Sequence, residues 1–345
     1  MLARLACLAL LIGCGGKYGG TAPTSPSTKG KRGIEAAALP YSIVDARTGR
    51  QVDTAAFWSQ VGASRVVCVG EDHPNPHHHW FQLEVMRHLT ARQPLALGME
   101  MFQRPFQGVL DDYAAKRIDE GALLSRSGYE ERWGYDFGFY GPTIKTAVGA
   151  GAALLALNAP KELTKKIVRH GLESLTVEEK KQVPELVLDD KTHRAWFDDT
   201  MESIGGAHGH STRKPEESAD KPDEKPEKSD KSDKPDEATD KPQMPSADRI
   251  YTAQVLWDET MADGAARWAK SSPSGLLVLL AGNGHCHDSA IVNRIKRRGV
   301  DKVISLRPVL DIEGRVAEAL AKPVNDFIVV LQLPPEAKAA MSKRD

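Results

Sequence analysis

Short apolar runs alternate with segments of helical periodicity along most of the chain. Most of these runs show no regular alternation of polar and apolar residues, which is typical of strands buried on both faces. They lie at positions 41–46, 66–69, 95–100, 153–158, 276–281, 302–306 and 327–333. After the second run, Phe81, Val85 and Leu89 follow one another at helical spacing. Strands separated by helices predict an α/β fold with a mostly parallel sheet flanked by helices.

Two stretches interrupt this pattern. Residues 14–39 are rich in Gly, Ser, Thr, Pro and Lys, which predicts a flexible tether. Residues 205–247 consist largely of Lys, Asp, Glu and Pro, a composition that buries little apolar surface and predicts a disordered insertion. Because strand-like runs resume afterwards, we interpret residues 40–335 as one α/β domain interrupted by this insertion. A domain boundary at the insertion is the alternative.

The first residues have the layout of a bacterial export signal. Arg4 provides a positive charge, and the apolar run that follows is too short to span a bilayer. Leu11-Ile12-Gly13-Cys14 resembles a lipobox, so we expect cleavage of residues 1–13 and lipidation of Cys14. The domain would then be anchored to a membrane in the cell envelope, and the absence of Asp at positions 15 and 16 favours the outer membrane. A plain secretory signal is the alternative.

Charge and cysteine content narrow the picture further. The formal net charge of −1 gives no electrostatic reason to expect a nucleic-acid partner. Cys7 is removed with the signal and Cys14 is the proposed anchor, which leaves Cys68 and Cys286. These two could form a disulfide in an oxidising compartment. We expect two separate buried thiols instead, because Cys68 lies inside an apolar strand run.

Polar clusters follow three of the predicted strands. They are Gly-Glu-Asp-His at 70–73, Gly-Met-Glu at 98–100 and Gly-Asn-Gly-His at 282–285. The carboxyl ends of parallel strands share one edge of the sheet, so we expect these side chains to converge there. Each glycine lets the backbone turn sharply and approach a ligand closely.

The converging residue types suggest metal chemistry as one interpretation. His73, Glu100 and His285 would form the ligand set of an open catalytic site for Zn or Mn, and Glu71 would be the base that activates water. The alternatives are structural ones. A lone histidine after a strand is often a hydrogen-bonding residue, and a glutamate at a strand end often caps the next helix.

The motifs also resemble a known family in their order and spacing. V-x-V-G-E-D-H-x-N-P-x-H-H, L-x-L-G-M-E-M-F-x-R, Y-G-P, L-x-x-N-A-P, W-D-x-x-M-A and L-x-G-x-G-H follow one another. They resemble the ChaN family of bacterial haem-binding lipoproteins linked to iron uptake, in the superfamily of Tiki proteases, TraB proteins and erythromycin esterases. The matching positions are Gly70, Glu71, His73, Asn75, His78, Glu100, Arg104, Tyr140, Asn158, Asp258, Met261, Gly282 and His285.

This resemblance implies that the chain binds haem or another iron-porphyrin, and that an outer-membrane haem transporter is a partner. Haem needs an apolar slot and an axial ligand. The candidate ligands are His73, His78, Tyr140, Met261 and His285, and the candidate slot walls are Phe102, Trp133, Phe137 and Phe139. Core packing is the alternative for the aromatic run at 133–140. The superfamily implies a second function, a metal-dependent hydrolase of the cell envelope.

Overall fold

A single sheet organises the protein in the computed structural model, which describes residues 33–206 and 245–342. Within these residues the sheet has eight strands in the order β2-β1-β8-β7-β3-β6-β4-β5. The strands are Tyr41–Asp45 (β1), Gln51–Val52 (β2), Val66–Glu71 (β3), Leu95–Gln103 (β4), Ala153–Asn158 (β5), Leu276–Gly282 (β6), Val303–Leu310 (β7) and Phe327–Leu331 (β8). From β8 to β5 all neighbours are parallel, and β1 and β2 add an antiparallel edge. The prediction of a mostly parallel sheet is confirmed.

Helices cover both faces of this sheet. They are Thr54–Ala63 (α1), Pro76–Leu89 (α2), Gln107–Ala114 (α3), Glu120–Ser127 (α4), Tyr129–Arg132 (α5), Gly141–Gly149 (α6), Lys161–His170 (α7), Val177–Lys180 (α8), Lys191–Gly206 (α9), Ala247–Ser271 (α10), Asn293–Arg297 (α11), Arg315–Ala321 (α12) and Pro335–Ser342 (α13). In the part of the chain that the structure describes, none of them is long and apolar enough to span a membrane.

The central strands are apolar because helices pack on both faces of the sheet. In β3, Val67 and Val69 lie in the same buried cluster as side chains of α1, α2 and α6, whereas Val66 and Cys68 lie in a cluster with α10 and α11. Every residue of β3 and β6 is therefore buried. Because burial of one Val or Leu side chain contributes about 1.5–3 kcal/mol, the two faces together account for much of the stability of the sheet.

The histidine-rich stretch after β3 begins a helix. The Asn75 side chain accepts a hydrogen bond from the main-chain N–H of His77 at 3.0 Å, and Pro76 occupies the first helical position. An Asn cap followed by Pro is a strong signal for a helix start. The cap fixes the start of α2 directly after the strand, so His78 and His79 both point into the protein, where each is buried.

Cys68 and Cys286 are joined by a disulfide, with their Cα atoms 5.7 Å apart. The expectation of two separate thiols is wrong. Cys68 lies in the middle of β3, and Cys286 lies in the turn that follows its neighbour β6, so the turn folds back over the face that carries Cys68. Sheet neighbours thus bring together two residues that are 218 positions apart in the chain.

Several sequence predictions concern the chain ends and the insertion. The signal peptide 1–13, Cys14 and positions 207–244 lie outside the described residues. At the borders of the insertion, α9 continues to Gly206 and α10 begins at Ala247. The last part of the predicted tether contains the short 3-10 helix Ile34–Ala37, and Ile34 and Leu39 are buried in the core. The described end of the tether therefore packs on the domain.

Candidate functional site

The ends of three neighbouring strands meet at one point. β6 lies between β3 and β4, and the three strands are parallel, so Glu71, Glu100 and Gly282 reach the same edge of the sheet. The main-chain N–H of Gly282 donates to Oε2 of Glu100 at 2.7 Å. A Cβ atom at position 282 would lie 3.0 Å from Cε1 of His73. Glycine is therefore needed here for the close approach of His73 and Glu100.

Glu71 is the centre of a buried hydrogen-bond network. Its Oε1 accepts from the Tyr140 hydroxyl and from Nδ1 of His73, each at 2.7 Å, and its Oε2 accepts from the Gln82 amide at 2.7 Å. Nδ1 of His79 lies 3.4 Å from Oε2. Burial alone raises the pKa of Glu71, but the effects of His79, His73 and Tyr140 outweigh it and lower this pKa to about 2. Glu71 is thus held as a carboxylate.

A second imidazole–carboxylate pair lies across the strand ends. Nδ1 of His285 donates to Oδ1 of Asp258 at 2.7 Å, and Nε2 of His285 lies 3.5 Å from Oε1 of Glu100. The other carboxylate oxygen of Asp258 lies 3.2 Å from Nε2 of His193. A carboxylate on Nδ1 fixes the tautomer and ring orientation of a histidine. Asp258 therefore directs Nε2 of His285 toward Glu100.

Both histidines have a shifted pKa. Burial lowers the pKa of His73, yet Glu71 and Glu100 outweigh this effect and raise it. His285 behaves in the same way, since burial is outweighed by Glu100 and Asp258. The pKa of Asp258 is lowered, because His193 and His285 outweigh the effect of burial. The site therefore favours paired ions in a buried position, where unpaired charges would be strongly destabilising.

A cavity of about 340 Å³ opens beside these residues. Glu100 and His285 line it, and both are largely buried. Its other lining residues include the aromatic side chains of Trp133, Tyr135 and Trp257, the apolar side chains of Met101, Ala159 and Val168, and the cations of Arg132, Lys161 and Lys165. Glu130 and Glu131 also line it, so the cavity combines aromatic walls, an imidazole and a border that carries both cations and carboxylates.

Comparison with known proteins identifies the family. The family model described as haem-binding uptake, Tiki superfamily, ChaN matches residues 57–295. The chain belongs to the ChaN family. A search of the curated proteins found no match.

Solved structures are similar to this ChaN-family chain at low sequence identity. One was described as cofacial heme binding to ChaN of Campylobacter jejuni; it is 14% identical, with a TM-score of 0.58, over 84% of this chain and 96% of that chain. An erythromycin esterase mutant in its open conformation is 12% identical, with a TM-score of 0.41, over 85% of this chain and 83% of that chain.

Four of the site residues predicted from the sequence come together in this ChaN-family fold. Glu71 pairs with His73, and Glu100 lies beside His285. The other three candidates do not line the cavity. Tyr140 is buried in the core, where it donates to Glu71, and Met261 is a residue of α10 in an apolar cluster. Nδ1 of His78 accepts from the main-chain N–H of Asp72, and burial lowers the pKa of His78 to about 4.

The structure does not support the alternative of a Zn or Mn site. Among the described residues, no group of three or more His, Cys, Asp or Glu side chains is arranged to hold a metal ion. The metal-dependent hydrolase interpretation therefore has no ligand set among these residues.

Among the aromatic side chains of the cavity, Tyr135 and Trp257 were not singled out as wall residues from the sequence. Tyr135 belongs to the aromatic run at 133–140, and its ring centroid lies 4.9 Å from that of His73. The run follows α5 and contains an irregular stretch and a short 3-10 helix, so no periodicity shows which ring faces inward. Of the four wall residues expected from the sequence, Trp133 lines the cavity, whereas Phe139 stacks on His79.

Proposed function

We propose that this chain binds haem in the cavity beside Glu100 and His285. The observation that carries the proposal is the cavity itself, in which aromatic walls adjoin an imidazole at the ends of the strands. Membership of a haem-binding family supports it. The ChaN structure from Campylobacter jejuni, described by its heme binding, has the same fold.

The residues present fit haem. The cavity volume of about 340 Å³ lies within the range of about 300–1,000 Å³ that is usual for ligand pockets. Trp133 and Trp257 offer flat apolar surfaces. Three side chains that line the cavity belong to the usual haem ligand types, namely those of His285, Tyr135 and Met101. Bound haem would supply an iron that takes one of these as a ligand, and Asp258 would orient His285 for that role.

A haemin titration tests this proposal. We expect the purified chain to give a saturable Soret band with a single site per chain. Of His285→Ala, Tyr135→Phe and Met101→Ala, the variant that removes the haem ligand should change the band position and weaken binding by about tenfold or more, since even loss of a ligand's hydrogen-bond partner costs about 10- to 100-fold in metal affinity. The measurement is the visible spectrum against haemin concentration.

The matched control is His88→Ala. His88 is partly exposed and stacks on Trp58, away from the cavity. It should leave the spectrum unchanged. Weak, non-saturating binding by the unmodified chain, or equal spectra for all the variants, would contradict the assignment of haem to this cavity.

We further propose that a lipid on Cys14 anchors the chain to the outer membrane, where it takes part in iron or haem uptake with a membrane transporter. The Leu-Ile-Gly-Cys sequence supports this proposal. Acyl chains contribute about 0.8 kcal/mol of membrane affinity for each buried CH₂ group. Cys14→Ser should therefore leave the chain unlipidated, and less of it should be recovered in the membrane fraction. Membrane recovery of Cys14→Ser in its mature form would rule out this anchor.

A further inference from the structure

A third histidine, His193, lies behind the pair of His285 and Asp258. It belongs to α9 and is fully buried, and its Nε2 lies 3.2 Å from Oδ2 of Asp258. Oδ1 of the same carboxylate binds His285, so Asp258 lies between two imidazole rings. Among the described residues, neither Nε2 of His193 nor Oδ2 of Asp258 makes a hydrogen bond to any other group. Because a buried polar atom without a partner is destabilising, each of these two atoms depends on the other.

The surroundings of His193 fix the nitrogen that carries its proton. Nη2 of Arg294 donates to Nδ1 of His193 at 3.1 Å. A guanidinium group only donates hydrogen bonds, so Nδ1 is an acceptor and carries no proton. The ring proton is therefore on Nε2, the nitrogen that faces Asp258. An N–H group from each of the two imidazoles thus faces one oxygen of this carboxylate.

His193 also lies between Asp258 and a competing partner. Arg294 is fully buried, and its Nη1 lies 4.0 Å from Oδ2 of Asp258. Its Nε lies 3.2 Å from the Glu259 carboxylate, which holds the guanidinium in this position. Without the imidazole of His193, the Asp258 carboxylate would be free to turn toward Arg294 and away from His285. Charge-assisted contacts in buried positions are strong, so this turn would be favourable.

We propose that His193 is a positioning residue of the haem site. It holds one oxygen of Asp258, so that the other oxygen stays on Nδ1 of His285 and Nε2 of that ring stays directed toward Glu100 and the cavity. His193 itself does not line the cavity. The inference rests on the proposed haem function, and it adds a residue outside the cavity that sets the orientation of a side chain within it.

Three substitutions of His193 separate its hydrogen bond from its packing. His193→Phe keeps a ring to stack on Trp196, whose centroid lies 5.7 Å away, but has no N–H group. His193→Gln loses the ring, yet its amide nitrogen reaches the place of Nε2. His193→Asn carries the same amide on a shorter side chain, which reaches only the place of Nδ1. A packing role predicts that phenylalanine is the best replacement, whereas the positioning role predicts glutamine.

The first measurement uses the full chain without haem, produced with isotope-labelled histidine. Nuclear magnetic resonance detects the Nδ1–H proton of a buried imidazole that donates to a carboxylate. His285 and His73 should each give such a resonance, since each donates at 2.7 Å. Each is assigned by its absence from the corresponding glutamine variant. We expect the His285 resonance to be kept in His193→Gln, and lost or broadened in His193→Phe and His193→Asn.

The resonance of His73 is the internal control. Its carboxylate partner is Glu71, so it should stay unchanged in all three variants of His193. A variant that loses the His73 resonance as well has not folded. The remaining variant without a donor to Asp258 is then compared with His193→Gln.

The second measurement is haemin affinity, from a titration followed by the Soret band. His193→Phe and His193→Asn should weaken haemin binding by about three- to tenfold, which is less than the roughly 10- to 100-fold cost of losing a direct hydrogen-bond partner of a metal ligand. His193→Gln should stay within about twofold of the unmodified chain, because it keeps the donor to Asp258.

A His285 resonance that persists in His193→Phe and His193→Asn would overturn the proposal, and so would an equal loss in His193→Gln. Unchanged haemin affinity in variants that have lost the His285 resonance would also overturn it. If the unmodified chain shows no saturable haemin binding, the proposed function fails. The resonances would still show whether His193 positions His285.

Discussion

Glu71→Gln is expected to lower the free energy of unfolding by about 3 kcal/mol at pH 7. The shift of the Glu71 pKa from 4.5 to about 2 corresponds to about 3 kcal/mol, at about 1.4 kcal/mol for each pKa unit. Glutamine has nearly the same shape but no charge. Its amide would also place N–H groups near the donors of Tyr140 or His73. Chemical denaturation followed by circular dichroism measures the change.

The same variant should alter the pH dependence of stability. The folded-state pKa of Glu71 is lowered, so its contribution is present above pH 4.5 and is lost as the pH falls toward about 2. The pKa of His73 is raised, so its contribution is present below 6.5 and is lost as the pH rises through the raised value. In Glu71→Gln, the loss between about pH 4.5 and 2 should be smaller than in the unmodified chain.

Glu178→Gln is a suitable control for this experiment. Its side chain is 78% exposed and, in the described part of the chain, pairs with Lys181 just after the same short helix. Exposed pairs of this kind contribute about 0–1 kcal/mol. Equal effects of the two substitutions at pH 7, or parallel pH curves for Glu71→Gln and the unmodified chain, would show that Glu71 is not the buried ion that we describe.

Much of the fold follows from patterns that are local in the sequence. Runs such as 276–281 are apolar because both faces of the sheet are covered, and the capping signal Asn75-Pro76 marks the start of α2. The strand order, in contrast, does not follow from local patterns. β6 lies between β3 and β4 although it follows them by more than 170 residues, and no local signal encodes that insertion. The antiparallel edge of β1 and β2 was likewise not expected.

The convergence of Glu71, Glu100 and His285 could be predicted because a parallel sheet forces the ends of its strands to one edge. The contacts that Asp258 makes with His285 and His193 could not be predicted. Asp258 lies within the long helix α10 and His193 lies in α9, so the approach of Asp258 to His285, and of His193 to Asp258, depends on how these helices pack. A buried carboxylate inside a helix gives no periodic signal. The sequence therefore indicated which residues meet, but not that a carboxylate accepts a hydrogen bond from Nδ1 of each imidazole.

The disulfide could not be predicted from the sequence for a similar reason. Cys68 was interpreted from its own strand, where an apolar environment favours a buried thiol. Its partner is fixed by the register of β3 against β6 and by the turn after β6. The pairing therefore depends on the arrangement of the sheet. The disulfide lies close to the site, because Cys286 directly follows His285.

Replacing both cysteines, as Cys68→Ala with Cys286→Ala, is expected to lower the free energy of unfolding by about 2–5 kcal/mol. The disulfide closes a loop of 218 positions, and in the chain-entropy account a long loop gives a large constraint on the unfolded chain. The turn keeps two other contacts, since Asn325 donates to the carbonyl of Cys286 at 2.7 Å and Gln254 donates to that of Gly284 at 2.9 Å. We therefore expect a folded but less stable protein.

Denaturant titrations with and without a reducing agent measure this effect. Reductant should lower the unfolding midpoint of the unmodified chain toward that of the double variant, and should leave the variant unchanged. Because Cys68 and Cys286 are fully buried, reduction requires unfolding, so the samples must reach equilibrium near the midpoint. The double variant should also bind haemin less tightly, since the turn that carries His285 has lost its link to β3. Identical midpoints for the unmodified chain in both conditions would show that the bond contributes nothing to stability.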